Sequence, residues 1–186
     1  MMRIVVGISG ASGAIYGVRI LEVLRQLGVE THLVLSETAG GTIEFETGRP
    51  VDDVLALATR VYPVDDVAAA ISSGSFRTDG MVIAPCSIKT LSGVANSYND
   101  NLLTRAADVT LKERRRLVLV VRETPLHLGH LRLMTAVTEM GAVLLPPMPA
   151  FYHKPQTIDD IVNQTVGKVL DQFQLDASLF KRWTGY

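Results

Sequence analysis

The chain has 186 residues, 47% of them hydrophobic and 20% charged, with 18 Lys and Arg against 19 Asp and Glu. That is the composition of one globular domain rather than two, and a domain of this size buries roughly 70% of its unfolded surface without disulfides. A formal charge of -1 leaves no excess of cations to neutralise a phosphodiester backbone, which argues against nucleic acid as a partner, and no run approaches the roughly 20 apolar residues of a spanning helix. The single Cys86 cannot close an internal disulfide, and Met1-Met2-Arg3 followed by a short apolar run to Gly7 lacks a signal-peptide core, so a cytoplasmic setting is expected.

Short β-branched runs alternate with longer segments of helical period, which predicts βαβ units: an α/β, three-layer αβα sandwich around a parallel sheet, Rossmann-like or flavodoxin-like. Arg3 to Ile8 is the first strand, and its near-continuous apolar run is of the kind buried on both faces. A helix follows from Ala14 to Leu27 and ends at Gly28. Further strands are expected at 32–35, 81–84, 117–121 and 143–145, with Pro85 stopping the third of the five. Helices are expected at 37–45, 87–95, 102–114, 127–140 and 158–173. Between residues 51 and 78 the pattern is ambiguous, with a short helix at 52–58 and a loop at 71–76. Thr157 and Asp160 form a carboxylate version of the capping box. Pro146-Pro147-Met148-Pro149 is a stiff connector that carries Phe151-Tyr152-His153 to a defined place. Residues 1–186 make one domain, of which 174–186 form a tail over a neighbouring surface.

The segment Gly7-Ile8-Ser9-Gly10-Ala11-Ser12-Gly13 lies between the first strand and first helix, where open parallel sheets bind ligands. Its GxxGxxG spacing is neither the dinucleotide fingerprint nor the phosphate loop, since no Lys follows the last Gly. Small residues let a ligand approach the backbone, and the free N–H groups of a helix start favour an anion; a tight turn without a ligand accounts for the same glycines. The second strand ends at Ser36, where dinucleotide enzymes usually carry an acidic residue, so a mononucleotide such as FMN is the better candidate. After Pro85, Ser87 can cap the next helix while Ile88, Lys89 and Thr90 offer N–H groups and a hydroxyl to a phosphate; capping alone explains the serine equally well. Cys86 has no nearby His in sequence, and buried packing is the commoner fate of a lone cysteine.

Arg105 and Lys112, two turns apart on one helix, can reach one anion. Arg122-Glu123 directly follows a strand, at the edge of the sheet where ligands collect, Tyr152 follows the proline connector, and Lys168 projects from the polar side of the last helix beside Gln164 and Asp171. Taken singly, Arg105, Lys112 and Lys168 also read as solvated helix faces. No metal is expected: His127 and His130 lack further ligands at a suitable spacing and read as a cap and a helix surface, and none of the Asp-Asp pairs at 52–53, 65–66 and 159–160 has a third carboxylate three residues on.

These blocks together resemble the flavin prenyltransferases of the UbiX type. The likeness runs from Arg3 to Trp183 and is densest at 7–17, 85–92, 105–115, 121–127 and 149–156. It implies a Rossmann-like flavoprotein that binds FMN, assembles as a homododecamer with the flavin near subunit contacts, and joins a dimethylallyl group from dimethylallyl phosphate to N5 and C6 of reduced FMN. The product serves a UbiD-type decarboxylase, as in ubiquinone synthesis, and older names for the family assign that decarboxylation to the prenyltransferase itself. Carried over residue by residue, the resemblance implies flavin contacts at Gly10, Ala11, Ser12, Ser36, Ser87, Ile88, Lys89, Thr90 and Arg122. The allylic phosphate would meet Tyr152 and Lys168, with Arg105, Lys112, Arg122 and Glu123 around it. Ser12 and Glu46 resemble the pair that manages the proton at N5, and Glu123 the carboxylate beside the leaving phosphate. Many relatives carry Arg where Lys168 stands; Lys keeps the charge and loses the two-pronged geometry. A cysteine decarboxylase of the same fold would carry a His on the first helix, where this chain has Tyr16 and Arg19. A flavodoxin-like electron carrier would be acidic and would need no inward cations.

Overall fold

The computed structural model describes residues 2–185. Strands β1 (Arg3–Ile8), β2 (Glu30–Leu35), β3 (Arg60–Tyr62), β4 (Gly80–Cys86), β5 (Arg116–Val121) and β6 (Val143–Leu144) pair in parallel in the order β3-β2-β1-β4-β5-β6. Helices α1 (Ala14–Gln26), α2 (Ala39–Thr47), α3 (Val51–Leu55), α4 (Ile88–Ala95), α5 (Leu102–Lys112), α6 (Leu128–Glu139) and α7 (Ile158–Asp171) connect or follow them.

Alternate residues of the central strands feed two cores, giving three layers. Ile4, Val6 and Ile8 of β1 face Ile20, Leu21 and Leu24 of α1 and Val166, Val169 and Leu170 of α7. Val5 of β1, with Met81 and Ile83 of β4, faces Leu91 of α4 and Leu103, Ala106 and Ala107 of α5. The strand order reverses between β1 and β4, so the loops after these two strands diverge and open a crevice at the carboxyl edge. There α1 lies close against β4: a Cβ on Gly17 would stand 2.2 Å from the Ala84 carbonyl oxygen.

The structure departs from the sequence expectations in four places. Strand β3 falls in the ambiguous region; it is short, lies at the sheet edge and is largely exposed, so it carries no apolar run. Pro85 does not stop β4, which continues to Cys86; the proline sits where the ladder to β5 shifts register, between Ile83 and Cys86. Helix α2 starts at Ala39 because residues 36–39 form a turn first, with Ala39 N–H donating to the Ser36 carbonyl at 3.0 Å. Gln164, expected on the polar face of α7, is buried. The Thr157–Asp160 capping box has both of its arms, and His127 caps α6 by accepting from Gly129 N–H at 3.0 Å. Among residues 174–185 there is no helix or strand, and the Trp183 ring meets Tyr152 edge to face at 5.9 Å. Tyr186, the last residue of the expected tail, lies outside the described residues.

Candidate functional site

A cavity of about 920 Å³ opens at the carboxyl edge beside the β1–β4 crevice. Gly10, Ala11 and Ser12 line it from the loop after β1, Ser36 from the loop after β2, Ser87, Ile88, Lys89 and Thr90 from the start of α4, and Arg122 and Glu123 from the loop after β5. Gly10 has no room for a side chain, since a Cβ there would stand 1.9 Å from Thr38 Oγ1, and this lets the turn close against the start of α2. Ser87 accepts from Thr90 N–H at 3.2 Å and donates to Thr90 Oγ1 at 3.1 Å, so it caps α4 and lines the cavity at once. Beside it Cys86 is fully buried, which pushes its thiol pKa up to about 12 and keeps it un-ionised.

Glu46 lies outside the lining and acts through the turn. Gly13, the cap residue of α1, has no side chain to accept from the helix start. The Glu46 carboxylate takes that place, accepting from Gly13 N–H at 2.8 Å and Ala14 N–H at 3.0 Å. Desolvation raises the carboxyl pKa, but the Ser12 hydroxyl, the two amides and the Arg122 charge together outweigh it, and Glu46 ends below the usual carboxylate range. An ionised Glu46 accepts only, so toward the neighbouring Ser12 hydroxyl it can act only as an acceptor. Arg122 N–H donates to the Cys86 carbonyl at 3.1 Å, and the Glu123 carboxylate accepts from Thr124 N–H at 3.0 Å. Among the described residues the Arg122 guanidinium has no hydrogen bond or ion pair, so its charge is left for the cavity.

The remaining expected residues do not join this cavity within one chain. Arg105 and Lys112 do share a side of α5, but it faces the loop at 72–74, and each has a partner already. Arg105 donates to the Ser72 carbonyl at 3.1 Å and pairs with Asp108 at 3.0 Å, while Lys112 pairs with Glu113. Lys168 pairs with Asp171 at 3.4 Å on α7. Tyr152 meets the His153 and Trp183 rings edge to face and does not line the cavity wall.

Sequence reasoning missed Glu37, Thr38, Asp65, Asn96, Tyr98, Asp100 and Asn101 in the lining. A signal existed for Asn101: an Asn just before an apolar helical period marks a helix cap, and its Oδ1 accepts from Thr104 N–H at 3.0 Å. In sequence Asp65 reads only as half of the Asp65-Asp66 pair. Among the described residues no three His, Cys, Asp or Glu side chains converge as metal ligands, and no helix is long and apolar enough to cross a membrane.

Comparison with known proteins places the chain in a family. A family model described as Flavoprotein matches residues 1–170. The chain is 70% identical over 184 residues to the flavin prenyltransferase UbiX of Thauera aromatica, covering 99% of this chain and 95% of that one. A crystal structure of a UbiX in complex with FMN and dimethylallyl pyrophosphate superposes with a TM-score of 0.98 at 54% identity, covering 100% of this chain and 98% of that one. A dodecameric FMN-dependent UbiX-like decarboxylase from Escherichia coli O157:H7 superposes at 0.97, also at 54% identity, covering 99% of this chain and 100% of that one.

Proposed function

The chain belongs to the flavin prenyltransferase (UbiX) family of flavoproteins, and from that membership we propose that it joins a dimethylallyl group from dimethylallyl phosphate to N5 and C6 of reduced FMN. The product is the prenylated flavin used by a UbiD-type decarboxylase, and the cytoplasm is the setting that fits a lone, buried cysteine. One observation carries the reading: the loops after β1, β2, β4 and β5 converge on a single cavity whose volume suits a mononucleotide.

The residues present fit FMN. Gly10, Ala11 and Ser12 put short side chains on the cavity wall, and Ser87, Thr90 and the free N–H groups at the start of α4 suit a phosphate, with Lys89 beside them. Ser36 offers a hydroxyl where a dinucleotide site would place its ribose carboxylate. When bound, reduced FMN supplies the two nucleophilic atoms, N5 and C6.

The chain's own groups do the rest. Ser12, beside the ionised Glu46, offers an acceptor for a proton at N5. Departure of the allylic phosphate places negative charge on its oxygen, and the unpaired Arg122 guanidinium stabilises that charge in a sheltered cavity. Glu123, next to Arg122, is the base for the ring proton at C6. Arg105, Lys112, Tyr152 and Lys168 complete the phosphate site in a homododecamer, brought to the cavity mouth by neighbouring copies. Two features support this assembly: all four lie outside the cavity of their own chain, and Leu126, Leu128, Leu131 and Phe151 leave apolar surface exposed near the start of α6 and after the proline connector.

Anaerobic incubation of the protein with reduced FMN and dimethylallyl phosphate, followed by mass spectrometry, is expected to give a flavin heavier by one five-carbon unit. A parallel incubation with the diphosphate distinguishes the donors. Recovery of unchanged FMN from both would refute the proposal.

A further inference from the structure

We infer that Ser9 is a positioning residue for the flavin cavity, a buried hydroxyl that holds the loops after β1, β4 and β5 in one arrangement. Its role toward FMN rests on the reading of the cavity given above, while the clamp itself is a property of the chain alone.

Ser9 follows directly on β1, is 1% exposed and takes no part in the cavity lining, so it does not touch a ligand. Its hydroxyl uses both of its capacities across the sheet: it donates to the Pro85 carbonyl at 2.7 Å and accepts from Ser87 N–H at 2.9 Å. The Ser9 N–H adds a second bond to the Pro85 carbonyl at 3.2 Å.

The need for the clamp follows from the proline. Pro85 has no N–H, and around it the β4–β5 ladder shifts register, so the backbone that leads into the cavity is not held by regular pairing on that side. Ser9 substitutes from the β1 side. Two residues further on, Ser87 is the cap of α4; its side chain is turned to Thr90, and its own N–H lies outside the helix ladder. The Ser9 oxygen gives that N–H an acceptor and so sets where the Ser87 hydroxyl and the first turn of α4 stand. Between these two anchored residues, the Cys86 carbonyl accepts from Arg122 N–H, which ties the third loop to the same point. Ser12, Ser87 and Arg122 therefore keep a common spacing through one residue that none of the expected ligand contacts includes.

Alanine at position 9 keeps the backbone bond to Pro85 and strands the Ser87 N–H without its acceptor. Ser9→Ala and Ser9→Thr are to be compared with the unaltered chain by amide hydrogen exchange of the flavin-free protein and by titration with FMN followed through flavin fluorescence. Ser9→Ala is expected to speed exchange of the Ser87 amide about tenfold relative to Val82 in the core of β4, and to weaken FMN binding about tenfold. Ser9→Thr, which keeps the hydroxyl, is expected to restore both. Should Ser9→Ala not fold, Ser9→Cys, which keeps a side-chain donor that bonds weakly on a slightly larger atom, is expected to show the same pair of changes in smaller measure. Wild-type FMN affinity in Ser9→Ala, or a Ser9→Thr protein as impaired as Ser9→Ala, overturns the role of Ser9. Failure of the unaltered chain to bind FMN overturns the flavin reading instead, and the Ser87 amide still reports the clamp without flavin.

Discussion

Replacing Glu46 by Gln tests whether charge, rather than shape, holds the turn that lines the cavity. The carboxylate receives the Gly13 and Ala14 amides at 2.8 and 3.0 Å, in place of a cap that Gly13 cannot supply. Glutamine keeps one acceptor oxygen of similar reach and loses the charge, so the change removes the interaction with the α1 dipole and the stronger, charge-assisted part of the two hydrogen bonds. Glu46 is an exposed residue, so solvent screens part of this, and about 1 kcal/mol is a reasonable size for the loss. In a chain of this length that lowers the thermal midpoint by roughly 2–4 °C. The pH dependence has a definite sign. The folded state holds the Glu46 pKa below its ordinary 4.5, so its contribution is fully present at neutral pH and is lost as pH falls through the lowered folded value. Other carboxylates with lowered pKa values, such as Glu22, titrate in both proteins and cancel in the difference. Thermal unfolding of flavin-free Glu46→Gln and the unaltered chain, at pH 7 and at steps below pH 4.5, is expected to show a gap that closes with acidification. A gap of the same size at every pH, or none at pH 7, would refute the electrostatic account of the turn.

Gly17→Ala gains helix propensity but drives a Cβ to within 2.2 Å of the Ala84 carbonyl oxygen, where backbone must yield, so the urea midpoint should fall by the equivalent of roughly 1–3 kcal/mol; an unchanged midpoint would mean that α1 has slack against β4. Gly10→Ala brings a Cβ to within 1.9 Å of Thr38 Oγ1 at the cavity wall, and flavin fluorescence titration should show FMN binding weakened at least about tenfold with the fold retained; equal affinity would remove this turn from the flavin contacts. Glu123→Gln should slow formation of the prenylated flavin, followed by mass spectrometry, by about 10²-fold while FMN stays bound, and equal turnover would take Glu123 out of proton transfer.

The layers of the fold were legible because burial writes itself into composition. Ile4 to Ile8, Met81 to Ala84 and Leu117 to Val121 are covered on both faces and are therefore apolar without interruption, and the glycine turn and the Ser87 cap sit directly at the ends of such runs. Strand β3 was illegible for the converse reason: Arg60 and Val61 are exposed at an edge, so the strand is fixed by pairing with β2 rather than by a core of its own. The cavity contacts divide along the same line. Those on the turns after apolar strands could be placed by counting, whereas Tyr98 and Asp100 arrive on a polar stretch between α4 and α5 whose path depends on packing.

Charge was the property that sequence resolved least, because a cation is available to a ligand only if no nearer carboxylate has claimed it. Arg105, Lys112 and Lys168 each lie within three residues of an acidic partner, Asp108, Glu113 and Asp171, and within one chain those local pairs form. Solvent-accessible pairs such as Lys112–Glu113 and Lys168–Asp171 are weak, so a phosphate held at a subunit contact can outcompete the carboxylate once neighbouring copies exclude water; the half-buried Arg105–Asp108 pair gives way less readily. Arg122 needs no such exchange: it is carried on the loop after β5 without a side-chain hydrogen bond or ion pair among the described residues, and the Cys86 carbonyl anchors its backbone. The difference separates two sets of cations by when they act. Arg122 presents its charge to the cavity in a single chain. If the proposed assembly brings the other three to the site, phosphate affinity should rise with protein concentration across the range in which the oligomer forms, and concentration-independent affinity would break this link between assembly and the phosphate site.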